Sequence, residues 1–417
     1  MINLLPKNIN KILTLTAVGL CLLSSCHSES GDNSEENPLS QCEVIATREI
    51  IHGDKVINCH IGKADHDRTM MIPLSMLIDS LEIVRLDPTD DALVGGYGIC
   101  DFSDNYIVVS QFGEASKLFR RDGKYVKQLG AIGQGPGEYN ADPDGVQIDE
   151  AHNRIIFFPA NNSYILEYDL LGNYIRSIPL AFTRTGGHIL ADYDNGKILV
   201  VQICFSNKSF VSGPPVWIQD FEGNAIWHTY EPIKAMIAGF SNKPLLHNRR
   251  QDGMELSFAR YEPIPDSIFY FDMRNMRVAP RFTATFDGET PRHVYYKAGD
   301  YYLIGPMVYS DGRPNPWEDD PTRMVIVDTK TLRGGYCKIY NDLLGGMELN
   351  IRPYLMRSME SFNMLMDPGD LLERIDARLA MDDVPASDIE ILTHLRESIS
   401  EDDNSYILHG NYKNRTR

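Results

Sequence analysis

The chain is short of basic residues, with 40 Lys and Arg against 58 Asp and Glu and a formal net charge of −18 over 417 residues. Binding to a nucleic-acid backbone needs clustered cations that release counterions. The Lys and Arg here are dispersed, so no nucleic acid is expected as a partner and polyanions in general are disfavoured. Cysteine is scarce too: there are seven, with no CxxC and no Cys/His spacing of the zinc type, so no metal site and no cofactor is expected. Trp217, Trp227 and Trp317 are too few for a sugar-stacking row. No Gly-x-Ser-x-Gly and no Cys/His arrangement points to nucleophilic catalysis. No Pro/Gly/Ser-rich linker divides the long body of the chain, which is too large for one ordinary layered core.

The N-terminus does carry a signal. Lys7 and Lys11 are the only charges in residues 1–25, and the apolar run from Ile12 to Leu23 is too short to span a bilayer. Residues 1–25 therefore read as a signal peptide. The ending Leu23-Ser24-Ser25-Cys26 resembles the lipobox of bacterial lipoproteins, which implies cleavage before Cys26 and acylation of its thiol. Acyl chains on Cys26 would be the membrane attachment, each buried methylene adding about 0.8 kcal/mol. Residues 26–40 follow as an acidic tether, and from His27 to Pro38 there is no apolar residue with which to pack a core. Acidic residues after the lipidated Cys also resemble a surface-export signal of Bacteroidetes-type lipoproteins, with a plain solvated linker as the alternative. An outer-membrane lipoprotein is the expectation, on the periplasmic or the exposed side. With Cys21 and Cys26 removed from the count, Cys42, Cys59, Cys100, Cys204 and Cys337 remain; Cys42 and Cys59 either pair in an oxidising compartment or stay free.

The body of the chain, residues 41–417, repeats one pattern: an apolar strand, an Asp, a Gly-polar turn and a second apolar strand. It occurs at Leu118 to Val126, Leu166 to Ile175 and Trp217 to Ile226, with turn glycines at 123, 172 and 223. A period near fifty residues is the mark of propeller blades or a similar array. Strands beginning at Tyr106, Arg154, Lys197 and Tyr301 keep nearly the same spacing, except that the last gap spans two periods and so hides a divergent blade. In that blade Ser267 to Asp272 is a strand, and Asn275 stands where the turn glycine is expected, since Asn tolerates a left-handed backbone. Blade five runs from His293 to Tyr340. The sixth blade is expected to be composite, with Ser405 to Tyr412 pairing beside Leu81 to Leu86 so that the two chain ends close the ring and leave no bare edges. One helix, about residues 387–400, interrupts that blade: Ser387-Asp388-Ile389-Glu390 reads as a capping box, and Ile389, Leu392, Leu395 and Ile399 mark an apolar face. The expected fold is all-β, a single six-bladed β-propeller of four-stranded antiparallel blades.

Between blades one and two stands Leu129-Gly130-Ala131-Ile132-Gly133-Gln134-Gly135-Pro136-Gly137-Glu138-Tyr139. Together with the lipobox, the Asp87 to Gly95 stretch and the Glu401 to Ser405 approach to the last strand, it resembles the six-bladed β-propeller lipoproteins of Bacteroidetes-type bacteria, relatives of NHL-repeat propellers. The resemblance implies a fold and an envelope location and no established catalytic set.

The candidate site residues are few. The glycine-rich stretch is no phosphate cradle, because Pro136 and Glu138 stand where a P-loop has Lys and Ser or Thr. It reads as a tight crossing anchored by Glu138 and Tyr139; if it faces the channel, Gln134, Glu138 and Tyr139 form a binding rim. His188 and His293 open the inner strands of blades three and five, but their registers differ by one residue, so strand alternation aims them at different faces and argues against a shared metal. Asp101, Asp104, Asp142, Asp144, Asp149, Asp192 and Asp194 lie near turns, where Asp ordinarily serves turn chemistry. The functional expectation is a lipid-anchored propeller that binds an envelope protein or a glycan or peptide ligand on one face of the ring, without catalysis. The alternative is a propeller glycan hydrolase or lyase with its site at the channel mouth.

Overall fold

The computed structural model describes residues 37–413, except 52, 96–97, 112, 140–142, 160–161, 184–185, 203–212, 231–244, 259–264, 307–319, 321, 350 and 352–360. Cys26, the signal peptide and most of the tether lie outside the described residues, as do Asp142, Cys204 and Trp317.

Six sheets surround one axis. Blade one is Ile99–Phe102, Tyr106–Ser110, Lys117–Arg120 and Tyr125–Gln128. Blade two is Pro143–Asp149, Arg154–Pro159, Tyr164–Tyr168 and Tyr174–Pro179, and blade three is Gly187–Asp192, Lys197–Gln202, Val216–Gln219 and Ala225–Thr229. Blade four contributes Leu245–Arg250, Gly253–Ser257, Ser267–Asp272 and Arg277–Thr285; blade five contributes His293–Ala298, Tyr301–Pro306, Met324–Asp328 and Gly334–Tyr340. Each of these five is an antiparallel meander. The first strand of a blade contacts the first strand of a neighbour, so these strands line the axis. The second strands, such as Tyr106–Ser110, are buried along their whole length because both faces of each sheet pack on neighbouring blades.

The repeated Asp is what makes each outer hairpin turn. Asp169 accepts the backbone N–H groups of Leu171 and Asn173, and Asn173 Nδ2 donates to its second oxygen at 3.0 Å. Asp220 does the same with Glu222 and Asn224. Gly123, Gly172 and Gly223 take left-handed φ angles of 84°, 76° and 89°. At Gly123 a side chain would also collide with blade six, its Cβ falling 2.0 Å from the Arg85 carbonyl oxygen. Blade four departs from expectation: the left-handed residue is Met276, at φ 52°, not Asn275. Asn275 instead holds Asp272 with its backbone N–H and its Nδ2, each at 2.8 Å. The turn keeps its Asp clamp, which carries Met276 into the strained region.

Ring closure follows the expected pairing. Tyr406–Asn411 runs antiparallel to Glu82–Arg85, with Ile407 opposite Val84, and Ser361–Met366 supplies the inner strand. Among the described residues blade six therefore has three strands, not four. The polar lock on this closure is Asn404. Its Nδ2 donates to the carbonyls of Asp87 and Ala92, and its Oδ1 accepts from the N–H groups of Val94 and Ser405. Ser405 Oγ adds a bond to the Val94 carbonyl. Asn404→Ala would strand several buried backbone groups at about 1–3 kcal/mol each. We expect it to lower the urea midpoint by an equivalent of about 3 kcal/mol and to hasten proteolysis of residues 79–95; an unchanged midpoint would show that the lock contributes nothing.

The N-terminal segment forms an outer belt that the repeat pattern did not announce. Ala46–Ile51 and Asp54–His60 form a hairpin whose second strand pairs parallel to Arg277–Thr285, giving blade four six strands. Met70–Pro73 then pairs parallel to Gly334–Tyr340, giving blade five a fifth. A helical turn, Leu74–Leu77, leads on to Glu82–Arg85 in blade six.

Two helices, not one, are inserted between Ser361–Met366 and Tyr406–Asn411: α1, Pro368–Leu379, and α2, Ala386–Ser398. Helix α1 is capped by Asp367, whose carboxylate accepts the Gly369 N–H. Helix α2 begins after Pro385, so Ser387 lies inside it and the expected capping box does not form. Leu392 and Leu395 pack inward with Leu371 and Ile375 of α1, whereas Ile389 is exposed. Cys42 and Cys59 are free, buried in separate clusters, as Cys100 and Cys337 also are free and buried.

Candidate functional site

In an antiparallel meander, the connections between second and third strands and those from each outer strand to the next blade fall at one end of the ring. The short Asp turns fall at the other. The loop end carries the glycine-rich crossing and the starts of the inner strands, and with them Gln134, Glu138, Tyr139, His188 and His293.

The crossing is built as an anchor. Tyr139 is fully buried; its hydroxyl donates to the Leu129 carbonyl at 3.0 Å and accepts the Ser116 N–H at 2.9 Å, while its ring lies 4.5 Å from Phe157. Glu138 folds back so that its carboxylate accepts the Gly135 N–H at 2.8 Å. Tyr168 of blade two donates to the Gly137 carbonyl at 2.7 Å. Gly137, at φ 75°, lies so close to the Tyr174 ring that a Cβ would come within 2.7 Å of it. Gln134 remains exposed at the tip. Of the three rim residues, then, Gln134 is presented to solvent, Glu138 is partly engaged by its own loop and Tyr139 faces inward.

The two histidines separate, as their registers required. His293 is buried between Phe286 and Tyr295; its Nδ1 donates to the Pro291 carbonyl at 2.8 Å, and its Nε2 has no hydrogen-bond partner among the described residues. Burial pushes it down to about 4, so it is neutral. His188 is buried beside Gly145 of blade two. It also lies near enough to His247 of blade four to depress it electrostatically. Asp144, at the start of the blade-two inner strand, accepts the Gly187 N–H at 3.0 Å.

His247 joins this group, and the sequence pattern missed it. Its Nε2 lies 2.8 Å from Ser257 Oγ, and burial, with Lys297 and His188 close by, pushes it down to about 3. Lys297 of blade five forms a 2.6 Å ion pair with the buried Glu255 of blade four. Arg249 of blade four reaches past blade three to the Val146 carbonyl of blade two at 3.2 Å. Four consecutive inner strands thus carry Asp144, His188, His247, Arg249 and Lys297, and the contacts among them cross from blade to blade. Leu245–Arg250 carries two of these five, and no alternation marked it as a strand, because its register shifts between Leu246 and Asn248.

Three aspartates of the other candidate set are engaged close to the turns that carry them. Asp192 binds Asn195, while Asp149 and Asp194 bracket the two ring nitrogens of His152 at 2.9 and 3.3 Å. Trp217 is in the core, its Nε1 donating to Gln219. Among the described residues no three His, Cys, Asp or Glu side chains are grouped to hold a metal ion. No helix among them is long and apolar enough to cross a membrane.

Six sheets set around one axis define a six-bladed β-propeller. The family model described as a domain of unknown function, DUF4934, matches residues 55–409, and the chain belongs to that family. Among solved structures it is similar to a Bacteroides fragilis protein taken to be exported, with a TM-score of 0.54 at 16% identity over 83% of this chain and 100% of that one. It also matches a Bacteroides vulgatus member of the DUF4221 family, with a TM-score of 0.42 at 11% identity over 81% of this chain and 98% of that one. At such identities the first likeness speaks for the fold alone. No functionally curated protein matches the chain.

Proposed function

We propose that this chain is a lipid-anchored propeller of the bacterial cell envelope, akin to NHL-repeat lipoproteins, which binds a glycan, peptide or protein partner through one face of its ring without catalysing a reaction. The observation that carries the reading is the set of polar side chains Asp144, His188, His247, Arg249 and Lys297 on four consecutive inner strands, linked to one another and to neighbouring blades by the contacts above. Polar groups fixed on rigid strands and surrounded by apolar packing are the usual makings of a recognition site. Several already hold protein partners, as in Lys297 with Glu255 and His247 with Ser257, which suits positioning a ligand better than cycling protons.

The test is a binding survey of glycans, peptides and envelope extracts against the mature protein, repeated with His188→Ala. Binding that weakens at least tenfold in that variant is the expected result. A purified protein that turns over a substrate through one essential carboxylate or histidine would refute the non-catalytic reading.

Location has its own check. Cys26→Ala is expected to leave the protein without acyl chains and to move it from membrane fractions to the soluble fraction, as read by fractionation and mass spectrometry. A variant that stays with the membrane would overturn the anchor.

A further inference from the structure

We propose that the outer edge of blade five is the surface this protein lays against its membrane, with Arg68 engaging a phospholipid headgroup phosphate. The proposal rests on the lipid anchor at Cys26 argued above.

The edge is made by the belt strand Met70–Pro73 paired in parallel with Gly334–Tyr340, Met71 opposite Lys338 and Pro73 opposite Tyr340. Met70, Ile72, Cys337 and Ile339 are buried in the core between blades five and six. Alternation then turns Met71, Pro73, Lys338 and Tyr340 to the other face. Met71 is 54% and Tyr340 42% exposed, large apolar surfaces at the rim of an otherwise acidic protein. Val44, bridged to Arg333 at the base of the same strand pair, is 46% exposed. Beside them a shallow cavity of about 360 Å³ is lined by Asn37, Ser40, Arg68, Thr69 and Met70. Arg68 is exposed and has no ion-pair partner among the described residues, unlike Lys338, which pairs with Asp320, and Lys330, which pairs with Asp300.

The chain itself says what covers this edge. Asn37 lines the cavity, and only residues 27–36 separate it from Cys26. Even fully extended, those residues reach no more than about 35 Å. The edge of blade five is therefore held close to the lipid headgroups, while the opposite side of the ring is not. Methionine and tyrosine exposed along the edge, with Arg68 near its start, form a pattern suited to that boundary: the apolar bodies enter it, and the guanidinium meets phosphate with a planar fork of donors.

The experiment uses the lipidated full chain on vesicles of phosphatidylethanolamine and phosphatidylglycerol containing a lipid with a nitroxide on its headgroup. A fluorophore is attached at Thr69→Cys, on the edge, or at Gln134→Cys, at the loop end; both positions are exposed. Severalfold stronger quenching at 69 than at 134 is expected, and adding Arg68→Glu with Met71→Glu should abolish the difference while flotation with the vesicles persists. Equal quenching at the two positions on protein that floats would overturn the proposal and leave the anchor standing. Protein that fails to float would overturn the anchor at Cys26, and the proposal with it.

Discussion

Lowering the pH from 7 to 4 should unfold this protein by way of three buried histidines. His247 and His409 are pushed down to about 3 and His293 to about 4, in each case chiefly by burial. His409 is further held by its bond to Asn363 and its stack on Phe102 at 4.1 Å, with the Arg121 guanidinium nearby. A histidine depressed in the folded state stays unprotonated there while the unfolded chain, titrating near 6.5, takes up the proton. Its contribution is therefore complete above about pH 6.5 and drains away as pH falls toward the folded value. At about 1.36 kcal/mol per unit, each of the three costs about 3 kcal/mol by pH 4, on the order of 9 kcal/mol together, against a typical total stability of about 5–15 kcal/mol. The sharper observable is the slope. Between pH 6 and 5 the free energy of urea unfolding should fall by about 3–4 kcal/mol, corresponding to the uptake of two to three protons. His247→Asn, which can keep a bond to Ser257, should reduce that uptake by about one proton whatever it does to basal stability. A slope near zero in the wild-type chain would mean that these side chains are not buried as described. His152 has the opposite sign: its bond to Asp149 raises it, so its smaller contribution is present at low pH and lost as pH rises.

The second large effect is expected at Glu167. Its carboxylate, buried between blades two and three, accepts from Arg154 Nε at 2.9 Å, from Arg176 Nε at 2.5 Å and from the Tyr193 hydroxyl at 2.5 Å. Arg176 sits directly opposite on the outer strand, and Tyr193 reaches over from the first turn of blade three, so the cluster ties two blades together. Removing one member of a buried ion network leaves the others desolvated without compensation, a loss of about 3–5 kcal/mol. Both arginines are partly exposed and can turn to water, which places Glu167→Gln toward the lower end, about 3 kcal/mol. The check is a urea midpoint that falls while its m-value is unchanged. Replacing all three charged residues together, Glu167→Leu with Arg154→Met and Arg176→Met, should recover most of the loss, since well-packed apolar groups of similar volume often match a buried ion network. If the triple variant is no more stable than Glu167→Gln alone, the cost lies in packing rather than in the unpaired charge.

Local chemistry explains which parts of this architecture were readable in advance. The hairpins at Gly123, Gly172 and Gly223 were legible because each turn holds an Asp that accepts the backbone N–H of the residue after the glycine, within one short stretch of chain. Blade one shows the same economy, with Tyr106–Ser110 and Lys117–Arg120 lying where apolar runs between turn residues required them. Blade four was obscured at both ends. Its inner strand slips register at Leu246, and its outer turn puts a methionine where a glycine or asparagine was expected. The candidate site was less visible still. His188 stood out by its position, but its companions His247, Arg249 and Lys297 come from strands about fifty residues apart, and nothing local marks them as neighbours.

By itself the sequence determined that this is a ring of repeated antiparallel hairpins closed by its two ends, because period, turn chemistry and strand alternation are properties of neighbouring residues. It also carries a stretch that reads as a signal peptide, an ending at Cys26 that resembles a lipobox, and the acidic character that argues against polyanionic partners. Only the tertiary structure decided that the N-terminal segment belts blades four and five through parallel pairing, since such pairs join residues more than two hundred positions apart and leave no periodic trace. The structure alone likewise buried Glu167, locked the closure through Asn404 and brought His188 and His247 of neighbouring blades close together. Those outcomes depend on which strands come to lie side by side, and that is fixed by packing of the whole ring rather than by any stretch of chain.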